Sequence, residues 1–265
     1  MLPALPVLLR DMKMYRLFVI FFVSFFSVIT SRAQIAGQTG NEPGFILKRE
    51  YSFHFVAHSD GVGAGFRWGQ RNTVNSGRFI DFDVVNMKHP KEIKMGNIYM
   101  FDEARKFVYG KQNYIYISRI GLGSLRVLNE KPYWGGLDIR RFYCFGASFA
   151  MAKPSYLYIL DNSSSTYYYD LILQRYNPAE HDLSNIYGRG PFLEGFGESK
   201  FFPGAYFKAG FSFEYGPEKS MVRYIETGII AEVFANKIPM MAFNENKNFF
   251  ITFYISANFG RRYNP

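Results

Sequence analysis

The chain has 265 residues, a formal net charge of +9 and a single cysteine, Cys144. That length suits one domain behind a leader, and a lone cysteine excludes a disulfide framework. The basic residues are scattered rather than clustered, which argues against nucleic-acid binding. Aromatic residues make up 19% of the chain, yet no segment beyond the N-terminus is long and apolar enough for a membrane helix. That combination points to strands meeting an apolar or interfacial surrounding.

Residues 1–33 read as a signal peptide. Lys13 and Arg16 precede an apolar core, Leu17–Ile29, and Thr30-Ser31-Arg32-Ala33 offers small residues for cleavage before Gln34. The apolar core is shorter than the roughly 20 residues needed to span a bilayer as a helix. Met1–Asp11 fits the positive region poorly, so Met12 or Met14 is an alternative start. The leader carries Arg10, Lys13, Arg16 and Arg32 against Asp11, so the remaining chain stays basic. The excess suits anionic lipid headgroups or an acidic partner, or is ordinary surface charge.

Eight stretches of alternating apolar and polar residues follow, each read as a strand. The first, about 50–58, sets Tyr51, Phe53, Phe55 and Ala57 against Ser52, His54, Val56 and His58. The second, about 61–71, sets Val62, Ala64, Phe66 and Trp68 against Gly63, Gly65 and Arg67. The third, about 77–86, opposes Ile80, Phe82 and Val84 to Asp81 and Asp83. The fourth, about 113–128, opposes Tyr114, Tyr116, Ile120 and Leu122 to Arg119, Gly121 and Gly123. The fifth, about 137–152, opposes Tyr143, Phe145, Ala147, Phe149 and Met151 to Arg140, Cys144, Gly146 and Ser148. The sixth, about 204–216, has Ala205, Phe207, Ala209, Phe211 and Phe213 opposite Tyr206, Lys208, Gly210 and Glu214. The seventh, about 221–234, has Ile225, Ile229 and Val233 opposite Glu226, Gly228 and Glu232; the eighth, about 247–260, has Phe249, Ile251, Phe253, Ile255 and Phe259 opposite Thr252, Ser256 and Asn258.

Several of these exceed an ordinary strand of about five or six residues and match the 9–11 or so that a tilted membrane strand needs. The apolar faces suit lipid, and the opposite faces suit a filled lumen. There Arg67, Arg119, Arg140 and Lys208 roughly balance Asp81, Asp83, Glu214, Glu226 and Glu232. Buried charge is tolerable when paired and hydrogen-bonded, so a lumen ion-pair network is expected. The gaps agree. Those at about 72–76, 129–136 and 217–220 are short, and those at about 87–112, 153–203 and 235–246 are long; only Ser59-Asp60 breaks the alternation. Long loops on one side and tight turns on the other fit an outer-membrane arrangement.

This pattern over about 50–260 resembles the small eight-stranded outer-membrane barrels of the OmpX and OmpA-transmembrane type. The Tyr/Phe-rich style and the Ala33-Gln34 junction resemble proteins of Bacteroidota. The resemblance implies insertion by the outer-membrane assembly machinery through the aromatic last strand, Phe249–Phe259, although Gly260–Pro265 follow that strand where many family members end on an aromatic. The fold expected is therefore all-β: an eight-stranded antiparallel up-and-down transmembrane β-barrel, with a polar side-chain-filled lumen and long extracellular loops. Residues 34–49 would form a periplasmic N-terminal segment and 50–265 the barrel.

Chemical motifs are weak. Some barrels of this class modify lipid A with a His, a Ser and an acid near the rim. His54, His58 and Ser59, with Ser52 and Asp60, are the candidates, but neighbours on one strand point to opposite faces, so His58 and Ser59 cannot simply pair. His54 and His58 stand about 13 Å apart on one strand face, too far to share a metal ion. Gly61-Val62-Gly63-Ala64-Gly65 has no helix after it to make a phosphate loop. Neither cofactor nor metal is expected, and an eight-stranded lumen filled by side chains excludes a general pore. The loop at about 153–203 is rich in aromatics and is expected to fold as a cap or a docking surface, with a helix near 178–185; a second short helix is expected near 99–107. The role expected is non-enzymatic: a structural or accessory subunit of an outer-membrane complex, in contact with outer-membrane lipid. A lipid A-modifying enzyme and a soluble exported ligand-binding barrel are the alternatives.

Overall fold

The computed structural model describes residues 48–73, 75–97, 104–130, 136–161, 170–215 and 220–264. The expected signal peptide and most of the N-terminal segment lie outside them. In chain order the strands are β1 (Arg49–His58), β2 (Gly61–Arg71), β3 (Ser76–Met87), β4 (Lys94–Met95), β5 (Phe107–Val108), β6 (Asn113–Asn129) and β7 (Asp138–Pro154). They continue with β8 (Tyr156–Asp161), β9 (Asp170–Arg175), β10 (Ile186–Arg189), β11 (Lys200–Glu214), β12 (Met221–Ile238) and β13 (Lys247–Tyr263).

Eight of them close a barrel in the order β1-β13-β12-β11-β7-β6-β3-β2, with β2 returning to β1. Every pair in the ring is antiparallel; seven join strands consecutive along the barrel meander, and β1 with β13 closes it. Closure leaves no unpaired sheet edge, which is what a backbone surrounded by hydrocarbon requires. The alternation of side chains then sorts residues to two surroundings. On β1 Phe55 is 67% exposed on the outer wall, while its neighbour Val56 is 3% exposed in the lumen. The same holds around the ring: Phe82, Ile120, Phe145, Phe207, Ile229 and Phe253 face outward, while Asp81, Arg119, Lys208, Glu232 and Thr252 are buried inside. This is the pattern of a barrel whose solvent outside is lipid.

The strand ends differ from the expected ones where alternation is a poor guide. The fourth expected strand ends at Asn129, and β7 runs on to Pro154. β11 begins at Lys200 rather than near 204, because Pro203, which removes one ladder donor, is tolerated opposite Phe149. β13 continues through the expected tail to Tyr263, where it pairs Arg49.

The lumen is not polar throughout. At the loop end, inward positions are Val85, Met87, Ile115, Ile117, Ala150, Ala152, Phe234 and Ile238, closed over by Val108, Met240 and Met241. Strands of 17 and 18 residues are longer than a crossing needs, so beyond the lipid belt an ordinary apolar core packs inside. The lid is tied down by Gln112 N donating to Met240 O at 3.0 Å and Asn113 Nδ2 to Pro239 O at 2.7 Å.

The loop between β7 and β11 folds as a three-stranded sheet in the order β10-β8-β9. Its core is Leu157, Ile159, Tyr176 and Ile186 with Phe107 from the preceding loop. The helix expected near 178–185 is absent. Instead Asn177 Oδ1 accepts from Ala179 N, and Asp182 Oδ1 accepts from Ser184 N and Asn185 N. Such local capture of backbone donors by Asn and Asp competes with a helical ladder. Of the helix expected near 99–107, residues 99–103 lie outside the described residues, and Phe107-Val108 is strand, paired with Lys94-Met95.

Gly121 shows how tightly the middle of the lumen is filled. A Cβ there would strike the Tyr206 hydroxyl and approach Cys144 Sγ. Gly121→Leu is expected to cost about 1–3 kcal/mol by overpacking, read as a lower temperature for loss of the compact, fast-migrating band on electrophoresis. In the cap, His181 Nδ1 accepts Asn177 N–H at 3.0 Å, which requires the neutral ring. Burial holds the His181 pKa below its ordinary value, with Glu180 opposing. The folded pKa is thus depressed: this stabilisation is complete above the ordinary histidine value of about 6.5 and is lost as pH falls below it. Amide protection factors over 177–186, taken relative to intrinsic exchange at each pH, should fall between about pH 7 and 5, and His181→Gln should flatten that dependence.

Candidate functional site

The densest polar constellation lies in the middle of the lumen. β2 and β3 place Arg67 opposite Asp81 in register, and Arg67 Nε donates to Asp81 Oδ1 at 3.0 Å. Arg67 also reaches across to Glu226 on β12. Its guanidinium lies 4.2 Å from the Phe79 ring centroid, so an apolar neighbour becomes a cation–π contact. Lys208 on β11 donates to Asp81 at 2.8 Å and lies 3.4 Å from Asp83. Arg119 on β6 makes a two-pronged contact with Glu232 on β12, at 2.8 and 2.9 Å, the planar geometry that suits guanidinium to carboxylate.

Nearer the turn end Arg140 pairs with Glu214, and with Asp138 at 3.1 Å. All nine charged residues expected in the lumen are buried. Arg262 joins this end, contacting Glu214 and, at 2.8 Å, Glu50. Sequence reasoning missed Arg262 because the last strand was ended at Gly260, and missed Glu50 because the first strand's faces were assigned only from Tyr51 and Ser52 onward. The signal was present: alternation continues through Arg261, Arg262 and Tyr263. Also missed was Tyr224, which shares a hydrogen bond with Ser52 at 2.9 Å.

The candidate catalytic residues are drawn apart. His54 is buried and meets Asp83 at 2.5 Å. Their strands flank Gly65 in register, and a Cβ on Gly65 would collide with both side chains, so this contact depends on that glycine. His58 Nδ1 accepts Asp60 N–H at 3.3 Å, and Ser59 N donates to Phe253 O at 2.9 Å. Among the described residues no Ser–His hydrogen bond joins these groups. His54, Asp81 and Asp83 bring three ligand-type atoms within 4.8 Å of one another. Lys208 already stands at both carboxylates and Arg67 at Asp81, so an added cation would meet fixed positive charge. The arrangement cross-braces the middle of the barrel.

Removing one partner of a buried pair strands the other charge. Arg119→Leu is expected to lower folding stability by about 3–5 kcal/mol, and Arg119→Leu with Glu232→Leu to recover most of that loss. Urea unfolding from lipid vesicles, followed by tryptophan fluorescence, checks both.

No protein-family model and no curated protein matches the chain. Among solved structures it is similar to Neisserial surface protein A, at 9% identity and a TM-score of 0.39, over 81% of this chain and 96% of that one. It is similar to Ail, the attachment invasion locus protein of Yersinia pestis, at 10% identity and a TM-score of 0.37, over 81% and 96%. It is also similar to the N-terminal β-barrel domain of Pseudomonas aeruginosa OprF, at 8% identity and a TM-score of 0.32, over 80% and 97%. The fold itself rests on the chain's own closed ladder, an eight-stranded antiparallel barrel.

Proposed function

We propose that this chain is a non-enzymatic integral barrel of the outer membrane of a Gram-negative bacterium, serving as a structural or accessory subunit of an outer-membrane assembly, of the secretion or barrel-assembly kind. The outer wall is apolar and the lumen is plugged by paired charges and by the Met240-Met241 lid, so neither diffusion through the barrel nor storage of a ligand within it fits. What remains available is the loop end.

The observation that carries the reading is β9. It is an edge of the cap sheet, paired to β8 alone among the described residues, and Leu171 and Ile172 on it are exposed. An exposed edge strand bearing apolar side chains is a template for a partner's strand. A protein that carried such an edge without a partner would risk aggregation.

The experiment is affinity capture of a tagged copy from crosslinked outer membranes, beside the variant Leu171→Asp/Ile172→Asp. A stoichiometric partner is expected with the native chain and is expected to be lost with the variant while barrel insertion is kept. A barrel recovered alone after crosslinking would sink the subunit reading.

A further inference from the structure

Outside the barrel wall, at the loop end, the two long loops enclose a cavity of about 420 Å³. That is far more than the roughly 10–15 Å³ one water needs. Its floor is the outward face of β6 and β7, where Tyr114 stands opposite Lys153 in register. Its walls bring together Lys88, Lys94, Lys106, Lys111, Lys153 and Arg189, with Glu92 as the one lining carboxylate among the described residues. Lys111 and Lys153 are each 3% exposed. Lys111 Nζ donates to Glu92 at 2.6 Å and lies 4.3 Å from the Tyr114 ring centroid. Lys153 donates to the Phe192 carbonyl and lies 4.8 and 4.9 Å from the Phe192 and Phe196 rings. Burial and the charges of Lys88 and Lys94 push the Lys111 pKa down against the pull of Glu92.

Gathering this much positive charge in a recess is unfavourable unless an anion joins it, and a low-dielectric wall focuses the field on that anion. The surroundings say what carries the anion. Leu193 is 78% exposed beside the cavity. Phe201 is 69% exposed and pairs with Met151, which pairs with Tyr116. Phe201 therefore lies on the outer wall about 7 Å, two strand residues, below the Tyr114–Lys153 row. A basic recess directly above an apolar, lipid-facing belt matches a molecule with an anionic head and acyl chains.

We propose that this cavity binds the phosphate of an anionic lipid headgroup, of the phosphorylated glycolipid class, in the leaflet at the loop end. The proposal rests on the reading of the chain as an outer-membrane barrel and adds a lipid site to it. Phosphate supplies several acceptor oxygens, so Lys111, Lys153 and Arg189 can share it through charge-assisted hydrogen bonds. Lys88, Lys94 and Lys106 add attraction at the mouth.

The test titrates the purified full-length barrel in maltoside micelles with diphosphorylated hexa-acyl lipid A, with the same lipid after removal of its phosphates, and with inorganic phosphate. Binding is read by native mass spectrometry. Saturable binding of the phosphorylated lipid is expected, weakened about tenfold or more by dephosphorylation and by Lys153→Gln. Because Lys153 is buried, the exposed pair Lys94→Glu/Lys106→Glu serves as a second variant with the same expected loss, and heat-modifiable migration verifies folding of each. Equal binding of the two lipids, or unchanged binding by both folded variants, would overturn the proposal. Inorganic phosphate binding as tightly as the lipid would overturn it too, marking a site for a soluble anion. Recovery of the native protein in the soluble periplasmic fraction would remove the membrane reading itself, and is distinguishable because it precedes any titration.

Discussion

An eight-stranded ring has an interior about wide enough for side chains alone, and here that interior must hold charges. Arg119 and Glu232, Arg67 and Glu226, and Lys208 and Asp81 each belong to strands that are not neighbours in the ring. Each pair is therefore a brace across the lumen rather than along the wall. An unpaired charge there would cost several kcal/mol, so the register that brings these groups together is selected over any register that does not. A slip of one residue in any strand would turn its charges to lipid and its phenylalanines inward. The charges thus contribute to specifying one register, while the closed ladder satisfies the backbone.

That constraint explains which parts of the molecule were legible in the amino-acid sequence. Where lipid lies outside and charge inside, alternation is unambiguous, as in Ala205–Glu214 or Phe249–Phe259. Beyond the lipid belt it fades. Ile115 and Ile117 face inward while Tyr114 and Tyr116 face outward, so both faces read as apolar and the strand end cannot be placed by pattern. Pro203 and Gly260 each read as a stop but are accommodated within a ladder long enough to lose one bond or one side chain. The cap was less legible still: Asn177 and Asp182 decide its turns through single hydrogen bonds, which no periodicity announces. His54 and Asp83 could not be matched from spacing either, since their contact needs two strand registers and a glycine between them.

The two ends of the barrel have different chemistry because they solve different problems. The turn end is short, and its lumen is closed by the buried pairs of Arg140 and Arg262 with Glu214 and the part-buried pair of Arg262 with Glu50. The loop end projects past the lipid, so it can afford an ordinary apolar core and a folded sheet above it. Its length is what lets the outward faces of β6 and β7 turn from a lipid-facing wall into the floor of a basic recess.

Among the described residues the lumen is filled by paired charges and an apolar plug, and close packing of this kind resists deformation. Rigidity is useful to whatever stands on the loop end. The β10-β8-β9 sheet rests on strands that continue directly from the membrane wall: β7 ends at Pro154 and β8 begins at Tyr156. The exposed edge of β9 and the lysine-lined recess are therefore held at fixed heights relative to the apolar belt. A partner strand and a lipid headgroup would each be met at a set distance from the bilayer by a platform that does not have to order itself first, which lowers the entropic cost of binding either.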